Sequence, residues 1–188
     1  MARIFTLKWH WINFDTQHTW DQILNKLKNA GIREVHLSRS VYAIRLKANF
    51  GIKYPKGISP TLYVGEGHLK QRVEAHKKWL CEMEKTFGDL SLQLAVATPR
   101  VQNNSVAYKE VEAALIQFFL AKYGSAPFKN SNIEYQKYGH SFAKSSLAEP
   151  LTPGSGTRYH WAVEPTHINK FYDVYVHTHA KAVKEGAP

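Results

Sequence analysis

The chain has a single cysteine, Cys81, among its 188 residues. An internal disulfide and a zinc site built from several cysteines are therefore both excluded. No apolar run reaches the roughly 18 residues that a membrane-spanning helix needs, and the N-terminus lacks the apolar core of a signal peptide. Internal repeats and low-complexity tracts are missing as well. We expect a cytoplasmic protein of a reducing compartment, without membrane contacts.

Negative charge is also scarce. The chain has 15 Asp and Glu against 25 Lys and Arg, which gives a formal net charge of +10 and a pI near 9.6. This balance favours a polyanionic partner such as nucleic acid, although a generic basic protein has the same composition. A hydrophobic fraction of 44% and an aromatic fraction of 13% are typical of a globular protein. The length predicts a single domain spanning residues 1–188.

The most informative stretch of the sequence is residues 40–76. Two short apolar runs, SVYAIRL and TLYVGEG, contain Tyr42 and Tyr63 and are bounded by turn-forming residues. The second run leads through glycines into a helical pattern that contains Arg72 and, one turn later, His76. The order strand, loop, strand, helix predicts that these four side chains share one neighbourhood. From the residues alone, both tyrosines could simply pack in the sheet, and the histidine could be a satisfied core residue.

A third strand and a long helix follow. Apolar residues alternate over 90–96 and predict a strand, and residues 106–124 have the pattern of a helix. Two glutamates of this helix are candidate functional residues. Glu110 is expected to be solvated, whereas Glu112 falls on or beside the buried face. Because a buried carboxylate is costly unless it is paired or binds a cation, Glu112 is the candidate metal ligand.

The N-terminal segment is predicted to surround this core. Residues 5–11 alternate as a strand, whose tryptophans either join the core or stack on nucleobases. Residues 19–22 form a capping box that begins a helix, and Gly31 ends it. Residues 35–37 are predicted to be a short extended piece.

Three further segments are less regular. Residues 47–60, rich in Gly, Pro and Lys, are predicted to form a loop, whose lysines either contact phosphates or are ordinarily solvated (Lys47, Lys53, Lys56). Residues 136–159 are predicted to be a long loop. The spacing over 168–175 favours a helix, although Val174 and Val176 would also suit a strand. His177 and His179 lack nearby partners in the sequence that would complete a zinc site, so they are expected to be solvated.

The two tyrosine runs and the helix after them resemble the GIY-YIG nuclease family. Residues 40–42 stand at the first motif triplet, with serine in place of its first glycine, and residues 63–65 stand at the second. Arg72 and His76 match the arginine of the following helix and the histidine one turn later. Glu112 looks like the glutamate that binds the metal ion in this family.

The resemblance implies an α+β fold: a small antiparallel sheet flanked by helices. Its catalytic core would be residues 40–130, and the elaborations 1–39 and 131–188 would contact DNA or mediate dimerisation. The family's closing Pro-x-x-Asn is matched by the run that ends at Asn130. The distance from the glutamate is longer than expected, so Asn132 is a rival.

The resemblance also implies a chemistry. Glu112 would hold Mg²⁺, with Mn²⁺ as an alternative, and the planar guanidinium of Arg72 would bind a phosphate oxygen. The family's mechanism implies a tyrosine as the base that activates water. Tyr42 and Tyr63 are both candidates for the base, and His76 would position a tyrosine or the water.

The expected partner is double-stranded DNA, contacted by basic and polar residues in and around the core (Lys53, Lys56, Lys77, Lys78, Asn130). The chain has no appended recognition domain, which favours a restriction-type endonuclease that cuts both strands. Such a cut at a palindrome calls for a homodimer. The alternatives are a structure-specific or repair-type nicking nuclease and a non-catalytic basic module that binds nucleic acid. A further alternative is an RNA-binding protein associated with the ribosome, and only the positive net charge supports it.

Overall fold

The structure is a computed structural model that describes residues 4–88, 90–130, 139–154 and 156–164. Strands and helices are mixed along the chain, which confirms the predicted α+β class. The elements are β1 (Ile4–Phe5), β2 (His10–Phe14), α1 (Trp20–Asn29), a 3₁₀ helix (Glu34–Arg39), β3 (Ser40–Leu46), β4 (Phe50–Tyr54), β5 (Gly57–Ser59), β6 (Thr61–Gly67), α2 (Leu69–Phe87), β7 (Leu92–Ala97), α3 (Ala107–Tyr123), β8 (Ser141–Phe142), α4 (Lys144–Ala148) and β9 (Trp161–Val163).

The central sheet has four antiparallel strands in the order β2-β7-β3-β6. Strand β3 lies inside it and is buried along its whole length. Tyr42 of β3 pairs with Val96 of β7 on one side and with Gly65 of β6 on the other. Both tyrosine strands and the strand predicted over 90–96 are therefore confirmed, although β7 begins at Leu92.

The strand predicted over residues 5–11 is wrong in its extent, because pairing in the central sheet begins only at His10. The residues before it contact α4 instead. The Leu7 backbone N–H donates to Ser146 Oγ (3.1 Å), and Trp9 Nε1–H donates to the Ser146 carbonyl (2.8 Å). Trp9 is buried, which confirms its place in the core.

Helix α1 begins with the predicted capping box. The Thr19 side chain accepts from the Gln22 backbone, and the Gln22 side chain accepts from the Thr19 backbone. Gly31 follows the helix with a φ of 89°. The extended piece predicted over 35–37 is wrong, because Glu34–Arg39 is a 3₁₀ helix. Only Leu37 of this piece is buried, while Val35 is exposed, and two apolar residues are too few to separate a strand from a helical turn.

The loop predicted over 47–60 is wrong, because most of it is a β-hairpin. Strands β4 and β5 pair antiparallel around a turn at residues 55–56, and β9 adds to β4 in parallel. The turn is held to α3, since the Lys56 N–H donates to the Tyr123 carbonyl (3.0 Å). Tyr54 is fully buried beneath the hairpin.

The long loop predicted over 136–159 is also wrong for its described part. Strand β8 pairs in parallel with β1, and the short helix α4 follows. Leu147 and Leu151 are buried, so this segment packs on the core. The helix predicted over 168–175, the two histidines after it (His177, His179) and the rival Asn132 lie outside the described residues.

The two long helices complete the fold. Helix α2 buries the predicted apolar stripe (Leu69, Val73, Leu80, Met83). Helix α3 ends at Gly124, whose φ of 79° suits glycine. Among the helices of the described ranges, none is long and apolar enough to span a membrane.

Candidate active site

Tyr42 of β3, Tyr63 of β6 and His76 of α2 form one aromatic cluster. The ring centroids of the tyrosines are 6.0 Å apart, and those of Tyr63 and His76 are 4.3 Å apart. Tyr42 Oη lies 2.9 Å from His76 Nε2. Tyr42 is fully buried, whereas Tyr63 and His76 are half-buried. The predicted meeting of these three side chains is thus confirmed.

Gly65 makes the close approach of the tyrosines possible. It is the cross-strand partner of Tyr42. A Cβ at this position would lie 2.5 Å from Tyr63 Cε1 and 2.7 Å from Tyr42 Oη, both closer than real contacts allow. The glycine of the second motif triplet therefore leaves space for the two phenol rings.

A hydrogen bond from Trp79 fixes the tautomer of His76. Trp79 Nε1–H donates to His76 Nδ1 at 3.0 Å. Because an indole N–H can only donate, Nδ1 must be the acceptor, and in the neutral ring the proton is on Nε2. The Nε2–H then donates to Tyr42 Oη. Sequence reasoning missed Trp79, although its position three residues after His76 puts both on one face of the helix.

Tyr63 lies against this hydrogen-bonded chain. Its ring centroid is 4.3 Å from that of His76 and 6.0 Å from that of Tyr42. The hydrogen bonds run from Trp79 through His76 to Tyr42, and the ring of Tyr63 packs beside them. We call these four residues the relay.

Burial is the largest influence on ionisation within the relay. It raises the pKa of Tyr42 far above its ordinary value, and it raises the pKa of Tyr63 as well. It also lowers the pKa of His76 to about 4, with a further contribution from the charge of Arg72. His76 is accordingly neutral at pH 7, as the hydrogen bond from Trp79 requires.

Arg72 and Glu112 have opposite effects on the ionisation of the two tyrosines of the relay. The positive charge of Arg72 lowers the pKa of both phenols, and the negative charge of Glu112 raises it. Arg72 is exposed, and its Nε–H donates to the Glu66 carbonyl (3.1 Å) at the end of β6. Glu112 is half-buried on α3. The structure thus brings all five predicted catalytic residues into one electrostatic neighbourhood.

Glu110 was expected to be solvated, and this expectation is wrong. Only 6% of the surface of Glu110 is exposed to solvent. Its Oε2 lies 2.7 Å from His140 Nδ1, and its Oε1 accepts from Asn104 Nδ2 at 2.8 Å. The periodicity of α3 could not reveal this, because His140 is 30 residues further along the chain. The pair ties α3 to the segment before β8.

Asn130 has a role inside the fold. Its Oδ1 accepts from the Val64 N–H (2.9 Å), and its Nδ2–H donates to the Val64 carbonyl (2.7 Å). The oxygen and the nitrogen of the Asn130 side-chain amide therefore hold the end of the Pro-x-x-Asn run against β6, beside Tyr63. A DNA contact by this residue stays a prediction.

The four lysines predicted to contact DNA differ in their surroundings. Lys53 forms an ion pair with Glu164 (3.0 Å), and Lys77 donates to the His18 carbonyl (2.7 Å). Lys56 and Lys78 are exposed. Lys77 and Lys78 belong to α2, the helix of Arg72 and His76, whereas Lys53 and Lys56 belong to the β4–β5 hairpin. Contacts of these lysines with DNA stay predictions.

The described residues contain no group of three or more His, Cys, Asp or Glu side chains that could hold a metal ion. The charge of the Glu112 carboxylate raises the pKa of both tyrosines, and the charge of the Glu66 carboxylate raises the pKa of Tyr63. Mg²⁺ often binds through one or two carboxylates, keeps several waters and completes its shell with substrate phosphate. These residues fit such an ion, but they do not fit a metal held wholly by protein ligands.

Comparison of the chain with models of protein families, with curated proteins and with solved structures found no match. The functional interpretation therefore depends on the cluster itself.

Proposed function

We propose that the chain is a metal-dependent DNA endonuclease of the GIY-YIG type, with its catalytic core in residues 40–130. The observation that carries this proposal is the convergence of Tyr42, Tyr63, His76, Arg72 and Glu112 on one neighbourhood. Two phenols, a guanidinium and a carboxylate serve phosphodiester hydrolysis, which needs an activated water and stabilisation of charge on the phosphoryl oxygens. The net charge of +10 suits a DNA substrate.

Tyr63 is the tyrosine best suited to act as the base. Tyr42 is fully buried, and its hydroxyl is hydrogen-bonded to His76. Tyr63 is half-buried, so it is the tyrosine that solvent reaches more easily. In this role Tyr63 first releases its own proton to solvent, and its phenolate Oη then takes a proton from a water. The resulting hydroxide attacks phosphorus, and the bond to the 3′ oxygen breaks, with that oxygen taking a proton from solvent. Tyr42, whose ring centroid lies 6.0 Å from that of Tyr63, would stabilise the phenolate.

The charged residues complete the reaction. Arg72 binds a non-bridging phosphate oxygen, because a planar guanidinium matches phosphate geometry. Glu112 would hold Mg²⁺ or Mn²⁺, which when bound would neutralise charge on the phosphate and the leaving oxygen. Burial raises the pKa of Tyr63, and the charge of Arg72 opposes this rise in part. Removal of one such charge-stabilising group typically lowers the rate by ~10²–10³.

Within this class we favour a restriction-type enzyme that cuts both strands as a homodimer, since one active site cuts one strand per binding event. A nicking enzyme of the structure-specific or repair type has the same chemistry. A non-catalytic basic module is the second candidate, because the described residues lack a preformed group of three metal ligands.

Cleavage of supercoiled plasmid in the presence of Mg²⁺ tests the proposal. Wild type is compared with Glu112→Gln and Arg72→Ala, and with the exposed controls Glu82→Gln and Arg33→Ala. Linear fragments that are lost only in the first two variants support a restriction-type enzyme, and nicked circles support the nicking alternative. Intact plasmid with wild type, together with retained duplex binding, would favour the non-catalytic module.

A further inference from the structure

A cavity of about 950 Å³, lined by both polar and apolar residues, lies beyond the C-terminal end of β3. It is lined by residues at the strand ends of the central sheet and by described residues between α4 and β9. Its polar lining includes a guanidinium, an ammonium group, two amides and a hydroxyl (Arg45, Lys47, Asn49, Gln93, Thr157), and the acidic Glu149 lines it as well. The Gln93 amide also donates to Asn13 Oδ1 (3.4 Å). The proposed nuclease chemistry uses none of these residues. Arg45 and Tyr42 are three positions apart on β3, so their side chains leave opposite faces of the strand.

Arg45 is the unusual group in this cavity, because only 6% of it is exposed. Its Nη1 donates to the Glu149 carbonyl (3.3 Å), and its Nη2 donates to the Thr152 carbonyl (2.9 Å). Its Nε is buried and has no hydrogen-bond partner. A guanidinium has five N–H donors, so these two bonds leave most of its capacity unused.

Arg45 has no carboxylate counter-ion among the described residues. The ion pairs formed there do not include it. Glu149 offers its carbonyl, while its carboxylate accepts from Trp11 Nε1 (3.3 Å). The Trp11 ring lies 5.0 Å from the guanidinium carbon, a cation–π contact that only partly compensates the loss of water. A buried charge without a counter-ion is costly, and an anion in the cavity would remove that cost.

The surroundings of Arg45 favour a phosphate over a carboxylate. The ammonium of Lys47, the amides of Asn49 and Gln93 and the hydroxyl of Thr157 line the same cavity. Phosphate has more acceptor oxygens than a carboxylate and can accept from several of these donors at once, with the guanidinium providing the paired N–H groups. The volume also accommodates a nucleoside attached to the phosphate.

We propose that this cavity binds a phosphate ester, either that of a free nucleotide or a phosphodiester of a nucleic-acid strand, with Arg45 as its central ligand. The site is separate from the relay and goes beyond the proposed hydrolysis of DNA. Binding here needs neither a metal ion nor cleavage, so its test is independent of the nuclease test.

Isothermal titration calorimetry in EDTA tests the proposal. The probes are inorganic phosphate, thymidine 5′-monophosphate and a 12-nucleotide single strand. We expect one site per chain, loss of binding in Arg45→Met and a weakening of about tenfold in Lys47→Ala. Arg33→Met removes an exposed arginine outside the cavity and should bind as wild type does. Binding retained in Arg72→Ala excludes the relay as the site.

The probes distinguish the two sources of phosphate. Binding of the mononucleotide without competition from the single strand indicates a small-ligand site, and competition between them indicates a backbone contact. If Arg45→Met does not fold, the comparison of Lys47→Ala with Arg33→Met decides. Absence of binding by wild type at millimolar probe contradicts the proposal, and so does equal weakening in Lys47→Ala and Arg33→Met, which would indicate bulk charge alone.

Discussion

Substitution of Gly65 by alanine tests the packing of the two tyrosines. The added Cβ would lie 2.5 Å from Tyr63 Cε1, 2.7 Å from Tyr42 Oη and 2.9 Å from Tyr42 Cζ. Tyr42 cannot easily withdraw, because it is fully buried and bonded to His76. Overpacking of a core typically costs about 1–3 kcal/mol. Because both rings are obstructed, we expect the upper part of this range, about 2–3 kcal/mol.

Urea unfolding followed by tryptophan fluorescence measures this cost, with a lowering of the melting temperature by about 4–12 °C as a second readout. The matched control is Gly139→Ala. Gly139 has no heavy atom within 4 Å of its added Cβ and is exposed, so its free energy of unfolding should change by less than about 0.5 kcal/mol. Equal stability of the Gly65 and Gly139 variants would refute the reasoning about the tyrosine pair.

Three further predictions concern the relay and α3. Trp79→Phe removes one hydrogen bond to His76, worth about 0.5–1.5 kcal/mol, so kcat for DNA cleavage should fall about two- to tenfold with KM unchanged; a change in KM alone would contradict a positioning role. Because the pKa of His76 is lowered to about 4 in the folded state, the unfolded chain binds more protons between pH 4 and pH 6.5. The contribution of His76 to the free energy of unfolding should therefore be complete above pH 6.5 and should fall as the pH decreases towards 4. Chemical unfolding at several pH values measures this fall, which should be shallower in His76→Phe. Glu110→Ala leaves its half-buried partners without this carboxylate and should lower the free energy of unfolding by about 1–3 kcal/mol, whereas the exposed Glu82→Ala should be near neutral. Equal effects of the two substitutions in urea unfolding would argue against the pair with His140.

The sequence predicted those parts of the fold that depend on local patterns. Tyr42 and Tyr63 lie in apolar runs bounded by turn residues, so their strands could be identified. The capping box at Thr19 is a signal within four residues, and it was identified correctly. The four-residue spacing alone predicted that Arg72 and His76 lie near each other on one helix.

The errors concern features that depend on distant residues. Glu110 was placed in solvent because its partner His140 belongs to another segment. The hairpin over residues 50–59 is completed by β9, about a hundred residues later, and the turn between its strands is held by α3. Helix periodicity carries no information about either contact.

The choice between the two tyrosines also required the structure. Tyr42 and Tyr63 are equivalent by sequence pattern. They differ because Tyr42 is fully buried and accepts a hydrogen bond from His76, whose tautomer Trp79 sets. Burial and hydrogen-bond direction depend on which atoms meet, and a sequence motif does not specify them.

Cleavage of supercoiled plasmid by wild type, Tyr63→Phe and Tyr42→Phe tests the central claim most directly. Each substitution removes one hydroxyl and keeps the ring. With Mg²⁺ present, we expect cleavage by wild type, a residual rate in Tyr42→Phe and no cleavage in Tyr63→Phe, because only Tyr63 transfers the proton. Cleavage by Tyr63→Phe at the wild-type rate, or no cleavage by wild type that still binds the plasmid, would contradict the account.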